Sequence, residues 1–202
     1  CGFCYGVRRA VELAGQAEKG THTLGPIIHN PQVVGRLAAH GVSPVDSLDD
    51  VDKGAVVLIR SHGVGPDVYE QADQKELKVI DATCPHVKKA QQDAKNIVEK
   101  GEKLIIVGEK SHPEVISISQ WGANHAIIID REEEAEKIPF CDSMGVVVQT
   151  TFSQEQFKRI AAILQRKTNH LDVHMTICTA TQQRQQAAIE LAGHVDAMIV
   201  IG

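Results

Sequence analysis

An internal repeat, in which a cysteine recurs at the same point, constrains the fold of this chain more than any other sequence feature. With the 202-residue sequence shifted by 94 positions, Cys84 falls on Cys178, and eight of the 32 positions from 77 to 108 are identical. A shift of 80 positions places Cys4 on Cys84 in a weaker third copy. Self-similarity at a fixed spacing is typical of a chain that uses one supersecondary unit several times.

Each copy of the repeat has the hydrophobic pattern of a strand, a turn and a helix, followed by a second strand. In the middle copy an apolar run at 77–80 precedes Cys84, and apolar residues at 87, 90, 94 and 97 have helical spacing before a second run at 104–107. Strands that alternate with helices in this way form parallel sheets. We therefore predict an α/β protein built from small parallel-sheet lobes. Further strands are predicted at 56–59, 126–129 and 146–148, and Ser153 with Gln156 predicts a capped helix start.

The repeat also predicts the domain organisation. We assign residues 1–84 to a first α/β lobe without its leading strand, 85–177 to a second lobe, and 178–202 to the start of an incomplete third lobe. The third copy is expected to end in a strand at 198–201, directly before Gly202. We expect the chain to be a fragment of a three-lobed protein.

Composition and charge argue against several functional classes. The net charge of −5 repels phosphate polymers, and the aromatic content of 3% is low for a protein that stacks nucleic-acid bases. No apolar run approaches the roughly 20 residues of a membrane helix. The five cysteines form a poor disulfide framework, because their number is odd and they are widely spread. These features favour a cytoplasmic protein with reduced thiols, which binds neither nucleic acid nor membranes.

The three repeated cysteines are candidate metal ligands. Each is predicted in a turn between a strand and a helix, at the sheet edge where α/β proteins bind ligands, and a helix start also stabilises a thiolate. Three thiolates on a common axis could hold three irons of a 4Fe–4S cluster and leave the fourth iron open to substrate. Buried structural thiols and a three-thiolate zinc site remain alternatives.

The other two cysteines have no counterpart in the repeat. Cys1 and Cys4 form a CxxC motif, which is typical of thioredoxin-like redox pairs, but Cys1 aligns with non-cysteine residues in the other copies. Cys141 lies in a loop-like stretch beside a proline. We interpret Cys141 as structural or incidental.

Histidines and a carboxylate form a second candidate site. His29, His62 and His112 each stand between an apolar strand and a helix signal, where together with backbone amides they could bind a phosphate or diphosphate. Glu114, two residues after His112, is the candidate proton donor, with a helix N-terminal role as the alternative. The hydroxyl of Thr150 could orient a substrate hydroxyl or relay a proton, although a plain helix cap would also explain it.

Several motifs together resemble one family, the LytB-type 4-hydroxy-3-methylbut-2-enyl diphosphate reductases. They run in the family's order along the whole chain: Gly2-Phe3-Cys4-Tyr5-Gly6-Val7, Ile28-His29-Asn30, Ser61-His62-Gly63-Val64, Asp81-Ala82-Thr83-Cys84-Pro85, His112-Pro113-Glu114-Val115, Gln149-Thr150-Thr151, and Cys178 followed by Arg184-Gln185. The resemblance implies a pseudo-threefold trefoil of α/β lobes around a central 4Fe–4S cluster, with Cys4, Cys84 and Cys178 as its ligands.

The resemblance also implies the reaction and the roles of the site residues. The expected reaction removes the allylic hydroxyl of 4-hydroxy-3-methylbut-2-enyl diphosphate reductively and gives isopentenyl and dimethylallyl diphosphate, with electrons from ferredoxin or flavodoxin. His29, His62 and His112 would line the diphosphate pocket, and Glu114 with Thr150 would deliver the proton. The alternatives are an inactive metal-binding fragment and a three-cysteine dehydratase of the quinolinate synthase type.

Overall fold

The computed structural model describes residues 2–200, and within this range it contains two parallel four-stranded sheets. The strands are β1 (His22–Leu24), β2 (Ser43–Val45), β3 (Val56–Ile59), β4 (Lys78–Asp81), β5 (Lys103–Val107), β6 (Ile127–Ile129), β7 (Cys141–Val148) and β8 (Thr168–His174). The strand orders are β2-β1-β3-β4 and β6-β5-β7-β8, and every neighbouring pair is parallel. The predicted α/β class with parallel sheets is therefore confirmed, and the two sheets share one topology.

Helices connect the strands and cover the sheets. They are α1 (Tyr5–Gln16), α2 (Pro31–Ala39), α3 (Pro66–Gln74), α4 (Pro85–Glu99), α5 (Pro113–Trp121), α6 (Glu132–Glu136), α7 (Gln154–Gln165) and α8 (Thr179–Ala192), with a 3₁₀ turn at Leu48–Asp50. Four of them, α2 to α5, begin with proline, whose fixed φ suits the first helical position and whose missing N–H has no partner there anyway. The helices therefore begin abruptly, directly after the turn residues that carry the chemistry.

Strands β3 and β5 and the second half of β7 are buried on both faces, which explains their nearly unbroken apolar sequences. In β5, Leu104 and Ile106 pack with α4 and α5 on one face, while Ile105 and Val107 pack with α7 on the other. This alternation follows the two-residue period of a strand. Phe157 is the one aromatic residue among the largest fully buried side chains of the described range, so the core is aliphatic as the composition predicts.

The two edges of each sheet carry different connections. Each strand-to-helix turn lies at the carboxyl edge, where all the candidate site residues fall. Helix-to-strand connections lie at the opposite, amino edge, and four of them contain a glycine with positive φ: Gly20, Gly41, Gly54 and Gly101. Glycine adopts this backbone conformation without the steric cost that other residues meet.

The prediction of a strand at 198–201 is wrong for residues 198–200, the part of this range that the structure describes. Residues 198–200 lie in no strand, and Ile201 is outside the described range. A strand is stabilised by pairing its backbone groups with a neighbour, and no third sheet occurs between residues 2 and 200. The preceding helix, α8, likewise buries none of its residues.

The predicted cap of α7 is half confirmed. The Ser153 hydroxyl accepts a hydrogen bond from the Gln156 backbone N–H at 3.3 Å. The Gln156 side chain does not return to Ser153 but donates to the Asp130 carbonyl at 2.8 Å. In the described part of the chain, no helix is both long and apolar enough to cross a bilayer.

Candidate active site

The three repeated cysteines occupy the same structural position. Cys4, Cys84 and Cys178 are the N-cap residues of α1, α4 and α8, and all three are free and half-buried. The helix starts supply donors to sulfur: the Thr181 backbone N–H lies 3.3 Å from the sulfur of Cys178. Amides at a helix N-terminus stabilise negative charge, so each position suits a metal-bound thiolate.

The electrostatics of Cys84 show that the thiols lie near one another. Burial is the largest cause that raises the pKa of the Cys84 thiol, and the neighbouring sulfurs of Cys4 and Cys178 raise it further. The backbone amides of His86 and Val87 act in the opposite direction. Three mutually repelling thiolates need a positive partner, which a metal centre would supply. The donor set, with one cysteine from each of three helices, therefore fits an iron–sulfur cluster that has three protein ligands.

Gly6, in the first turn of α1, makes room for the Cys84 sulfur. A Cβ atom at this position would lie 2.5 Å from that sulfur, closer than real side chains approach. Gly15, near the end of the same helix, has no atom within 4 Å of its equivalent position. The two glycines thus differ in purpose, although both lower the intrinsic stability of the helix.

Replacing Gly6 by alanine is expected to destabilise the protein by about 1–3 kcal/mol, the usual cost of overpacking, and to lower its iron content. The matched change Gly15→Ala should instead stabilise the helix by roughly 0.5–1 kcal/mol. Urea unfolding and iron analysis of both variants measure the difference. Equal stability and iron content in the two variants would contradict the close approach of α1 to Cys84.

The three candidate histidines meet in one cluster. The ring centroids of His29 and His62 are 4.2 Å apart, and His112 lies 5.5 and 5.6 Å from them. One ring nitrogen from each residue lies within 4.8 Å of the other two. The structure therefore brings together three side chains that are 33 to 83 residues apart in sequence.

Two members of the histidine cluster, His62 and His112, are electrically neutral near pH 7. Burial is the main cause that lowers the pKa of His62 to about 3, and His29, His112 and Arg60 lower it further. The pKa of His112 is lowered as well, chiefly by burial. The Nδ1 atom of His112 accepts the Glu114 backbone N–H at 3.1 Å, which leaves Nε2 as the N–H donor. Neutral rings with free N–H groups suit the oxygens of a phosphate or diphosphate.

Arg60 is a site residue that sequence analysis missed. Its guanidinium contributes to the lowered pKa of both His62 and His112, so its positive charge lies near the cluster. Burial lowers the pKa of Arg60 itself, and its Nε atom has no hydrogen-bond partner among the described residues. It supplies the cationic charge that the neutral histidines lack. The basic residue two positions before His62 was the available signal.

Glu114 and Thr150 form a buried pair. They are 2% and 6% exposed, and the Thr150 backbone N–H donates to Oε1 of Glu114 at 2.6 Å. The Thr150 hydroxyl lies 2.8 Å from Oε2. Burial raises the pKa of Glu114, and this effect exceeds the opposing hydrogen bonds from Thr150. A buried carboxyl that keeps its proton above the usual pH range can act as a general acid.

The two groups of residues meet at the strand ends. His112 is the N-cap of α5 and Glu114 lies in its first turn, so one helix start carries a cluster histidine and the carboxyl. Backbone bonds link the cysteines to the same turns: the Cys84 N–H donates to Ser61, next to His62, and the Cys178 N–H donates to Thr150, both at 3.0 Å. The candidate ligands and the candidate substrate residues therefore form one site.

Of the other two cysteines, only Cys141 lies within the described residues, and it takes no part in this site. Cys141 begins β7 at the opposite edge of the sheet, where it packs against the hydrophobic core of the second lobe. Its interpretation as a structural residue agrees with this position. Cys1, and with it the alternative of a Cys1–Cys4 redox pair, lies outside the described residues.

Comparisons with known proteins agree on one family. The family model described as LytB protein matches residues 1–202. A 4-hydroxy-3-methylbut-2-enyl diphosphate reductase from Alkaliphilus oremlandii is 42% identical over 206 residues, which cover 100% of this chain and 74% of that protein.

Solved structures show the same similarity. The E-1-hydroxy-2-methyl-but-2-enyl-4-diphosphate reductase from Plasmodium falciparum matches with a TM-score of 0.93 and 30% identity, over 100% of this chain and 66% of that one. An (E)-4-hydroxy-3-methyl-but-2-enyl diphosphate reductase, described as the terminal enzyme of the non-mevalonate pathway, matches with a TM-score of 0.80 and 41% identity, over 100% of this chain and 74% of that one.

Proposed function

The chain belongs to the LytB family, and on this basis we propose that it reduces 4-hydroxy-3-methylbut-2-enyl diphosphate to isopentenyl and dimethylallyl diphosphate. The overall reaction takes up two electrons and two protons and releases the allylic hydroxyl as water. Relatives that bear the name of this reductase match the whole length of the chain. We further propose that the two lobes described here form part of a three-lobed trefoil, with lobes at 1–84 and 85–177 and a third that begins at 178.

The histidine cluster is proposed to bind the diphosphate. His29, His62 and His112 each offer a ring nitrogen, and these atoms lie within 4.8 Å of one another. Arg60 adds positive charge beside them. Neutral donors orient an anion through directed hydrogen bonds, and the nearby guanidinium compensates its charge. The diphosphate end of the substrate is thereby fixed, and its hydroxyl end can reach the Glu114–Thr150 pair.

Cys4, Cys84 and Cys178 are proposed to hold a 4Fe–4S cluster. Their common N-cap position, their free thiols and the space that Gly6 leaves for sulfur support this assignment. When bound, such a cluster supplies electrons one at a time and offers an open iron as a Lewis acid.

Glu114 and Thr150 are proposed to move the proton that releases the hydroxyl. The buried carboxyl of Glu114 has a raised pKa and lies in direct contact with the Thr150 hydroxyl. The hydroxyl group of threonine can accept this proton while it gives its own to the substrate oxygen, so the pair acts as a short relay. His112 holds the backbone at Glu114, because its Nδ1 atom accepts the Glu114 backbone N–H.

Electrons are proposed to come from a ferredoxin or a flavodoxin, in the cytoplasm. The described cysteines are all free, in agreement with a reducing compartment. The comparisons do not favour a dehydratase of the quinolinate synthase type or an inactive metal-binding fragment, because the matching relatives bear the name of the reductase.

The buried Glu114–Thr150 pair beside three clustered histidines is the observation that carries the proposal. The test is an anaerobic assay of the cluster-loaded protein with the diphosphate substrate and a chemical reductant, with products identified by mass spectrometry. Formation of both five-carbon diphosphates supports the function, and the same alcohol without its diphosphate should react poorly. Absence of product from a protein with full iron content would refute the function.

A further inference from the structure

The two places where one lobe meets the next have the same hydrogen-bond pattern. In the first junction, α4 and its cysteine Cys84 meet the turn Ser61–Val64. In the second junction, α8 and its cysteine Cys178 meet the turn Thr150–Phe152. The Cys84 N–H donates to the Ser61 carbonyl, two residues after the end of β3. The Cys178 N–H donates to the Thr150 carbonyl, two residues after the end of β7, and both distances are 3.0 Å.

At both junctions, a glutamine of the same helix forms a second hydrogen bond to the same turn. Gln91 lies seven residues after Cys84, and Gln185 lies seven residues after Cys178, so they are counterparts in the internal repeat. The Gln91 side-chain amide donates to the Val64 carbonyl at 3.4 Å, and that of Gln185 donates to the Phe152 carbonyl at 3.4 Å. Each glutamine thus ties a cysteine-bearing helix to the turn that carries a substrate-site residue of the preceding lobe.

The first junction is the more elaborate of the two. Gln91 is only 4% exposed and also donates to the Ser117 hydroxyl at 3.2 Å. Ser117 in turn lies 3.0 Å from the His62 carbonyl and 2.9 Å from the Glu114 carbonyl. One buried glutamine therefore fixes the His62 turn against both the Cys84 helix and the helix start that carries Glu114.

Gly63 shows how closely the glutamine approaches the turn. Its φ is +72°, and a Cβ atom there would lie 2.4 Å from the Gln91 side-chain nitrogen. Trp121 adds a bond from its indole N–H to the same Val64 carbonyl at 2.9 Å. Since the contact is buried, solvent water does not readily replace a lost partner, and the unpaired groups would shift the turn or lose free energy.

We propose that Gln91 and Gln185 are equivalent positioning residues, which set the substrate-binding turn of one lobe relative to the cysteine-capped first helix of the next. This inference rests on the proposed function, because it assigns the consequence of each contact to a step of that reaction. Gln91 holds His62 and therefore controls diphosphate binding. Gln185 holds the turn after Thr150 and therefore controls proton delivery.

Kinetic measurements on the holoenzyme can distinguish the roles of Gln91 and Gln185. Methionine has the length of glutamine without its donor, so Gln91→Met should raise KM for the substrate about three- to tenfold with little change in kcat, the effect of one lost buried hydrogen bond. Gln185→Met should lower kcat by a similar factor, shift its pH profile and leave KM nearly unchanged. The matched controls are Gln92→Met and Gln186→Met, whose exposed side chains bond only within their own helices.

The outcome of this test decides the proposal. The crossed pattern, with both controls like wild type and all iron contents equal, supports it. Parallel losses in KM and kcat that follow a lowered Tm would overturn it, as would variants indistinguishable from their controls. If the wild type forms no product, it is the proposed function that fails. The role of Gln91 is then tested by the affinity for inorganic pyrophosphate. Weaker binding in Gln91→Met than in Gln92→Met supports this role, and equal binding refutes it.

Discussion

Replacing Cys84 by serine is expected to abolish cluster binding and, with it, all reductase turnover. A serine hydroxyl keeps its proton far above neutral pH, so it cannot replace a thiolate as an iron ligand. Serine is a good N-cap residue, which means that α4 should still begin at the same place. The loss would therefore come from ligation and not from unfolding of the helix.

Iron and acid-labile sulfide analysis after anaerobic reconstitution, combined with circular dichroism, measures this effect. The matched control is Cys141→Ser, since Cys141 is also half-buried but lies at the amino edge of its sheet. The control should keep its full iron content and lose only some stability. A stable cluster in Cys84→Ser, or loss of the cluster in Cys141→Ser, would overturn the ligand assignment.

Replacing Glu114 by glutamine is expected to lower kcat by about 10²- to 10⁴-fold, the usual contribution of a general acid. Glutamine can still accept the Thr150 backbone N–H and donate to the Thr150 hydroxyl, so the local geometry is preserved. Only the transferable proton is lost. The affinity for the diphosphate, which depends on the histidine cluster, should change little.

The pH dependence of kcat provides a second test of the role of Glu114. Burial raises the pKa of Glu114, so the protonated form that donates the proton persists above the usual range of a carboxyl group. The wild-type rate should fall as pH rises through this raised pKa, and Glu114→Gln should lack that fall. Glu155, which also lies in the first turn of a helix but on the surface, is the matched control. A wild-type rate in Glu114→Gln would mean that Glu114 only stabilises the start of α5.

The sequence predicted that the candidate site residues lie at one edge of the sheets, because simple rules govern where such residues fall. Cys84, His62 and His112 each follow an apolar strand, and parallel strands bring their carboxyl ends to one edge. Local pattern was therefore enough to place them on the same side of the molecule. The pattern failed at 198–200, where the residues favour a strand but none of the strands between residues 2 and 200 pairs with them.

The contacts between these residues could not be predicted in the same way. The pairing of Glu114 with Thr150 joins positions 36 residues apart, and the bond from Gln91 to Val64 joins positions 27 apart. Such contacts depend on how helices pack against turns that are distant in sequence, which hydrophobic periodicity does not encode. Gln91 and Gln185 were visible as identities in the repeat, but only the structure showed what they bond.

Because the two sheet edges are separate, the turns at one edge should tolerate substitutions and insertions better than the turns at the other. The carboxyl edge holds every proposed reacting group, so its turns tolerate few substitutions. The amino edge must only reverse the chain between helix and strand, as Gly20 and Gly54 do there. Insertions, affinity tags or fluorescent labels placed in those connections should leave the chemistry intact. They are the places where this enzyme can be modified for immobilisation or imaging.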